Sequence, residues 1–426
     1  MNILRSTPGH ILKILTGNAS ASALGFVSLA LTARWLGPDL QGVLEIMLVY
    51  PLLAQQVSEM GIRQVAARAI GQGGLPAGLI VGTVLVVWAA SGFLGIALTF
   101  TLLAVFGSDR AGWGDLLLAS SLLPFMCVQS YVGGLLIGAG RIHGFVATRW
   151  VPACINVIGI GAAYITLPAD LTVALAIRLA ALLASAAILF RLARSAVPEP
   201  WQRPDIGLAR RMGREGAAFA AAMFLVMLNY RVGLLALEWT STPHQLGLFS
   251  VAQQTAEIVW QVAAAFGTLV FANSLRSKDD VDTTECMHSM RRTVWISAGL
   301  GVAGMAVAPV LMPLAFGSRF AGAALPFMAI MPGIVAMAAF KIARFDMVGR
   351  GHPWHGIWAV VTGVAVNAAA SAVLAPKLGA TGAAVGCSLG YACTALFYVH
   401  SCYIGPARPI GRAAGAGGLG AGPDPV

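Results

Sequence analysis

Arg231 and Glu257 carry charge where an apolar sequence accommodates it least. Between Asn229 and Gln261 run two long apolar segments joined at Thr242-Pro243. Arg231 lies well inside the first, and Glu257 lies roughly 11 residues into the second, about 16 Å along a helix that rises 1.5 Å per residue. That depth is close to the middle of a hydrocarbon layer about 30 Å thick. A charge there costs about 2.5–3.5 kcal/mol even on insertion scales, so it marks either a function or a partner. Ser250, Gln253, Gln254, Glu257 and Gln261 step by i, i+3, i+4, i+7 and i+11, which gathers them on one helical face. A polar face on a helix otherwise sunk in lipid needs water, a substrate or another helix opposite it. It reads as the wall of a central cavity, with a purely structural Arg231–Glu257 ion pair as the alternative.

The elements that must hold these residues follow from composition. Of 426 residues 58% are hydrophobic and only 10% charged, with a mean hydropathy of +0.79, whereas a soluble domain carries about 25% charged residues. Apolar runs of about 20 residues recur along the whole chain, about twelve in all, predicting an all-α polytopic membrane protein with no sizeable soluble domain. The net charge of +10 has a topological origin: about 21 basic residues fall beside the even-numbered loops and the chain ends, against about four opposite. That bias predicts both ends in the cytoplasm and removes nucleic acid as a partner. Six cysteines without a CxxC pair argue against a zinc site or a disulfide framework.

The halves of the chain resemble each other. Pro38-x-x-x-Gly42 recurs as Pro243-x-x-x-Gly247, Leu123-Pro124-Phe125-Met126 as Leu325-Pro326-Phe327-Met328, and Gly140-Arg141-x-His143 as Gly349-Arg350-x-His352, while Asn156 is matched by Asn367. The offsets are roughly 200 to 210 residues, the length of six spans with their loops. Six is even, so both halves cross in the same sense, related by a pseudo-twofold along the membrane normal. The expected organisation is a six-helix bundle over 1–193, a basic linker over 194–215, a second bundle over 216–403 and a disordered tail over 404–426.

If spans 7 and 8 line a cavity, their counterparts 1 and 2 should be polar too. Asn18, Ser22, Gly25 and Thr32 share one face of span 1, and Glu45, Gln56, Glu59 and Arg63 share one face of span 2. Spans 1, 2, 7 and 8 are therefore the expected cavity wall, although Ser, Thr and Gly also cement helices together without lining anything. Arg34, Glu45, Glu59 and Lys341 lie nearer span ends, where anchoring is the common role. Arg178 lies within span 6, where it either pairs or reaches toward the interface. Gly299-Leu-Gly301-Val-Ala-Gly304 matches a nucleotide-loop pattern but sits inside an apolar span with no strand before it, and His352-Pro-Trp-His355 lacks a third metal ligand.

Several stretches resemble the bacterial polysaccharide flippases, the lipid-linked oligosaccharide branch of the MOP superfamily. They are Leu36-Gly37-Pro38-Asp39-Leu40-Gln41-Gly42 after span 1, Phe316-Gly317-Ser318-Arg319-Phe320-Ala321-Gly322 entering span 10, Gly349-Arg350 followed by Asn367, and Pro376-Lys377-Leu378-Gly379-Ala380-Thr381-Gly382 before span 12. The resemblance implies two six-helix bundles in a V that move an undecaprenyl-pyrophosphate-linked glycan across the inner membrane by alternating access. It also implies a cationic cavity, coupling to a proton or sodium gradient with no other cofactor, a monomer, and association with a polysaccharide polymerase.

Guanidinium suits a pyrophosphate because it is planar and permanently charged. Arg231 is the principal anion-binding candidate, with Arg34, Arg178 and Lys341 beside it. Glu257, then Glu59 and Glu45, are the ion-coupling candidates, and Asn18, Ser22, Gln56, Gln253, Gln254 and Gln261 the expected lining. Other readings are a multidrug exporter or lipid II flippase of the same superfamily, or a membrane glycan polymerase or ligase. The short periplasmic loops and the lack of a nucleophile–base pair weigh against an enzyme.

Overall fold

The computed structural model describes residues 8–107, 110–276, 283–350 and 354–404. Thirteen α-helices follow one another among them: α1 (Pro8–Ser58), α2 (Ile62–Gln72), α3 (Ala77–Phe106), α4 (Trp113–Gly138), α5 (Ile142–Thr166), α6 (Leu171–Ala196), α7 (Ile206–Thr240), α8 (Pro243–Glu257), α9 (Trp260–Arg276), α10 (Thr283–Phe316), α11 (Ala324–Gly349), α12 (Ile357–Leu378) and α13 (Ala380–Val399). No strand occurs among the described residues. Nine described helices are long and apolar enough to cross a membrane. Counting α1 as two passages divided at Gly37, and adding α5 and the interrupted α8–α9 pair to these nine, gives a number compatible with the twelve expected spans.

The division of α1 follows from backbone chemistry. Gly37 has φ 73° and ψ 174°, a conformation that side chains resist, and Pro38 then starts the next helix without needing an N–H partner. The second passage of each half is broken again, by a turn at residues 59–61 between α1 and α2 and by residues 258–259 between α8 and α9. The start of α8 is set by Thr242, whose hydroxyl accepts from the Gln245 backbone N–H, with Pro243 in the first turn.

The repeated Pro-x-x-x-Gly motifs meet each other. A Cβ placed on Gly42 would strike the Pro243 carbonyl oxygen, and one on Gly247 would strike the Pro38 carbonyl oxygen. The second passage of one half thus crosses that of the other by reciprocal backbone contact. The matched asparagines are equivalent as well. Asn156 of α5 donates to Ser28 Oγ of α1 (2.5 Å), and Asn367 of α12 donates to the Asn229 carbonyl of α7 (2.9 Å), so the fifth span ties to the first in each half.

The segment over 194–215 includes the ends of two helices. The α6 helix continues to Ala196 and α7 begins at Ile206, which puts Arg210, Arg211 and Arg214 on a helix. The connection between them lies along α3: Gly78 N–H donates to Glu199, Gln202 N–H donates to the Gly78 carbonyl, and Asp205 N–H donates to Thr83. The side chain of Asn18, residue His352 and the tail beyond 404 lie outside the described residues.

Candidate functional site

Two adjoining cavities, of about 440 and 360 Å³, share Met126, Gln129 and Arg149 in their walls. The larger is walled by Gly25, Ser28 and Leu29 from the first passage, Leu48 and Leu52 from the second, Arg149 and Asn156 from α5, Arg178 from α6 and Gln254 from α8. The smaller is walled by Gln55, Gln56, Glu59, Arg63 and Gln64 around the α1–α2 break, Gln129 and Ser130 from α4, Thr148 and Arg149 from α5, and Phe219, Met223 and Met227 from α7. Spans 1, 2, 7 and 8 all contribute, as expected, but α4, α5 and α6 supply much of the wall. The chamber therefore leans into the first half of the chain.

Arg178 is the distinctive group of the larger cavity. Its Nε is buried without a hydrogen-bond partner among the described residues, although the Glu45 carboxylate acts on it electrostatically. Glu45 is 7% exposed and already accepts from Gln41 (2.9 Å) and from Gln254 (2.8 Å), the latter reaching across from α8. This carboxylate consequently joins the halves beside the arginine. In the smaller cavity Gln55 donates to Glu59 (2.5 Å), and two guanidinium groups, Arg63 and Arg149, stand against that single carboxylate.

The second constellation lies in the other half. Arg231 Nη1 is 3.5 Å from Glu257 Oε1, with the two side chains 18% and 21% exposed. Gln253, 1% exposed, donates to Glu257 (3.0 Å) and to the Tyr230 carbonyl (2.6 Å). Lys341 places its ammonium 4.1 Å from the Trp260 ring centre and 5.0 Å from that of Tyr230, where the ring faces attract it. The sequence brings these residues together through helical spacing: Gln253 and Glu257 lie four apart on α8, and Tyr230 and Arg231 are neighbours on α7.

The expected site residues thus separate. Glu59, Gln56, Gln254 and Arg178 reach the cavities, Arg231, Glu257, Gln253 and Lys341 form the second cluster, and the Glu45 carboxylate acts electrostatically on both Arg178 and Arg231. Arg231, expected as the principal anion receptor, already has a counter-ion. Arg34 is taken up elsewhere: its guanidinium donates to the Leu314 and Ala315 carbonyls in the last turn of α10, oxygens that the helix terminus leaves without an intrahelical partner. Ser22 is half-buried one turn before the cavity wall, and Gln261 is exposed on α9. Arg63, expected on the polar face of span 2, does line the smaller cavity, whereas Arg149, Gln129 and Asn156 were missed. Charge counting assigns Arg149 to a loop, but α5 begins before it.

Both ends of the chamber are bounded by contacts between the halves. At one end stand the Gly42–Gly247 crossing and a 2.6 Å hydrogen bond from the Tyr50 hydroxyl to Glu238, whose backbone carbonyl also accepts from Arg110 (2.6 Å). At the other end, a Cβ on Gly61 would strike the Gly216 carbonyl, so the α1–α2 turn and α7 touch backbone to backbone.

The profile of the polysaccharide biosynthesis protein family matches residues 10–271. No curated protein matches the chain in sequence. Among solved structures the chain is similar to the lipid II flippase MurJ in an inward closed conformation (TM-score 0.76, 11% identity, 92% of this chain and 87% of that one). It is also similar to a multidrug resistance MATE family transporter of the MOP superfamily, inward-facing (TM-score 0.68, 14% identity, 88% and 92%) and outward-facing (TM-score 0.64, 12% identity, 93% and 95%). The chain shares its fold with these solved structures.

Proposed function

The chain belongs to the polysaccharide biosynthesis protein family, and from that premise we propose that it is a flippase carrying undecaprenyl-pyrophosphate-linked oligosaccharide across the bacterial inner membrane. Family membership and fold support a multi-pass membrane flippase. The observation that carries the finer reading is Arg178: a buried guanidinium with an unused N–H, in the wall of a chamber that Gln254 and Glu45 close between the halves. A diphosphate cannot enter hydrocarbon unaided, and a permanently charged planar donor inside a low-dielectric chamber is its natural receptor.

In this reading Arg178 and Arg149 hold the diphosphate while the prenyl chain stays in lipid. The halves then rock so that the Gly42–Gly247 and Gly61–Gly216 crossings open in alternation. The Arg231–Glu257 pair, with Glu59 and Glu45, is the place where a proton or sodium ion would enter the cycle. Both chain ends face the cytoplasm, the protein acts as a monomer, and a polysaccharide polymerase on the far side receives the product. Export of cationic drugs fits less well, because the chamber presents three arginines, Arg63, Arg149 and Arg178, against Glu59 and the adjoining Glu45.

The test deletes the protein and follows radiolabelled lipid-linked oligosaccharide. The expected result is accumulation on the cytoplasmic leaflet, restored by the wild-type chain and not by Arg178→Ala at equal membrane abundance. Normal surface glycan with Arg178→Ala refutes the receptor, and no accumulation on deletion refutes the substrate.

A further inference from the structure

Both cavities carry two arginines, but the smaller one, beside Arg63, Arg149 and Glu59, holds the denser set of neutral polar side chains. Its wall is rich in neutral amides: Gln55, Gln56, Gln64 and Gln129, with Ser130 and Thr148 near them. A carboxamide offers two donors and an acceptor that holds two hydrogen bonds, so a cluster of them matches a ligand that presents both donors and acceptors on every side. Phosphate presents only acceptors, and a hydrocarbon chain presents neither. Hydroxyl-bearing rings present both.

Two of the four glutamines have capacity left over. The Gln64 amide oxygen is buried without a partner, and Gln56 makes no side-chain hydrogen bond among the described residues. A buried amide oxygen without a partner is costly, at about 1–3 kcal/mol, unless something else occupies the site during function. At about 360 Å³ the cavity falls within the range of about 300–1,000 Å³ typical of small-molecule sites. It adjoins the Arg178 cavity through Gln129 and Arg149, as a sugar bonded directly to a diphosphate requires.

We propose that the amide-lined cavity around Gln56, Gln64 and Gln129 is a subsite for the neutral sugar residue attached to the diphosphate, and that it sets which glycan the protein accepts. This rests on the flippase reading and adds selectivity to it. The methionines Met126, Met223 and Met227 complete the wall with unbranched, adaptable side chains, which lets one site take sugars of differing substitution.

The experiment reconstitutes the full-length protein in liposomes and compares translocation of undecaprenyl pyrophosphate with that of undecaprenyl-pyrophosphate-linked N-acetylglucosamine. Wild type is expected to favour the sugar-bearing lipid. Gln56→Met and Gln64→Met, which keep side-chain length and remove the amide, are expected to cut that preference about 2- to 13-fold each, the equivalent of one hydrogen bond of about 0.5–1.5 kcal/mol. An unchanged preference in both variants, with both lipids still moved, overturns the sugar subsite alone. Wild type that moves neither lipid overturns the flippase reading and this subsite with it.

Discussion

Removing Glu257 should reveal how the buried Arg231 charge is balanced. At 3.5 Å the pair attracts by about 5 kcal/mol with an effective dielectric constant of about 20. Taking two ions out of water costs a comparable amount, so the intact pair contributes little net stability. Removing one member is different, because the other stays buried without compensation at a cost of about 3–5 kcal/mol. Both side chains are only about one-fifth exposed, so solvent reduces this cost without abolishing it. Glu257→Met and Arg231→Met should each lose about 3 kcal/mol in reversible unfolding of the purified protein in mixed micelles. The double variant should recover most of that loss, giving a coupling of about 2 kcal/mol or more in the double-mutant cycle. Single losses below about 0.5 kcal/mol that simply add would show that the two groups are not coupled, and would refute the reasoning.

Other substitutions test the remaining contacts. Gly247→Leu drives a side chain into the Pro38 carbonyl, so a disulfide between cysteines replacing Asp39 and His244, whose side chains lie 3.5 Å apart, should form at least tenfold more slowly; unchanged cross-linking contradicts the crossing. Tyr50→Phe removes the 2.6 Å hydrogen bond to Glu238, itself 4% exposed, and should cost about 1–3 kcal/mol in the same unfolding assay, with no loss counting against the contact. Trp260→Leu takes away the ring 4.1 Å from Lys341, an interaction of about 0.5–2 kcal/mol, and should raise the reactivity of Lys341 toward amine reagents. Equal labelling of wild type and variant would show that the ring does not hold the ammonium.

The number of spans was legible because hydrocarbon thickness fixes helix length, and the internal repeat was legible because both halves meet the same packing demands at the same places. Pro38-x-x-x-Gly42 and Pro243-x-x-x-Gly247 recur because they are the two sides of one crossing. Asn156 and Asn367 recur because each ties a fifth span to a first. Ionisable residues deep in long spans, Arg231 and Glu257, were visible from their cost alone. Less visible was anything decided by where a helix begins. Arg149 looks like a loop residue by charge counting, yet α5 carries it into the chamber wall. Arg34 showed the reverse: its charge made it an anion-binding candidate, whereas its guanidinium meets backbone carbonyls of α10 about 280 residues away, a pairing that helical periodicity cannot disclose.

The central claim is that a chamber between the halves opens alternately to the two sides of the membrane. Its most direct test is thiol accessibility at Gln254→Cys and Gln129→Cys, each in a chain with its six native cysteines replaced, using membrane-impermeant maleimide on intact cells and on inverted vesicles. Labelling of the same residue from both sides, in proportions that shift when lipid-linked oligosaccharide is supplied, is the predicted result. Residues that stay unlabelled from either side while the protein still exports glycan would contradict it.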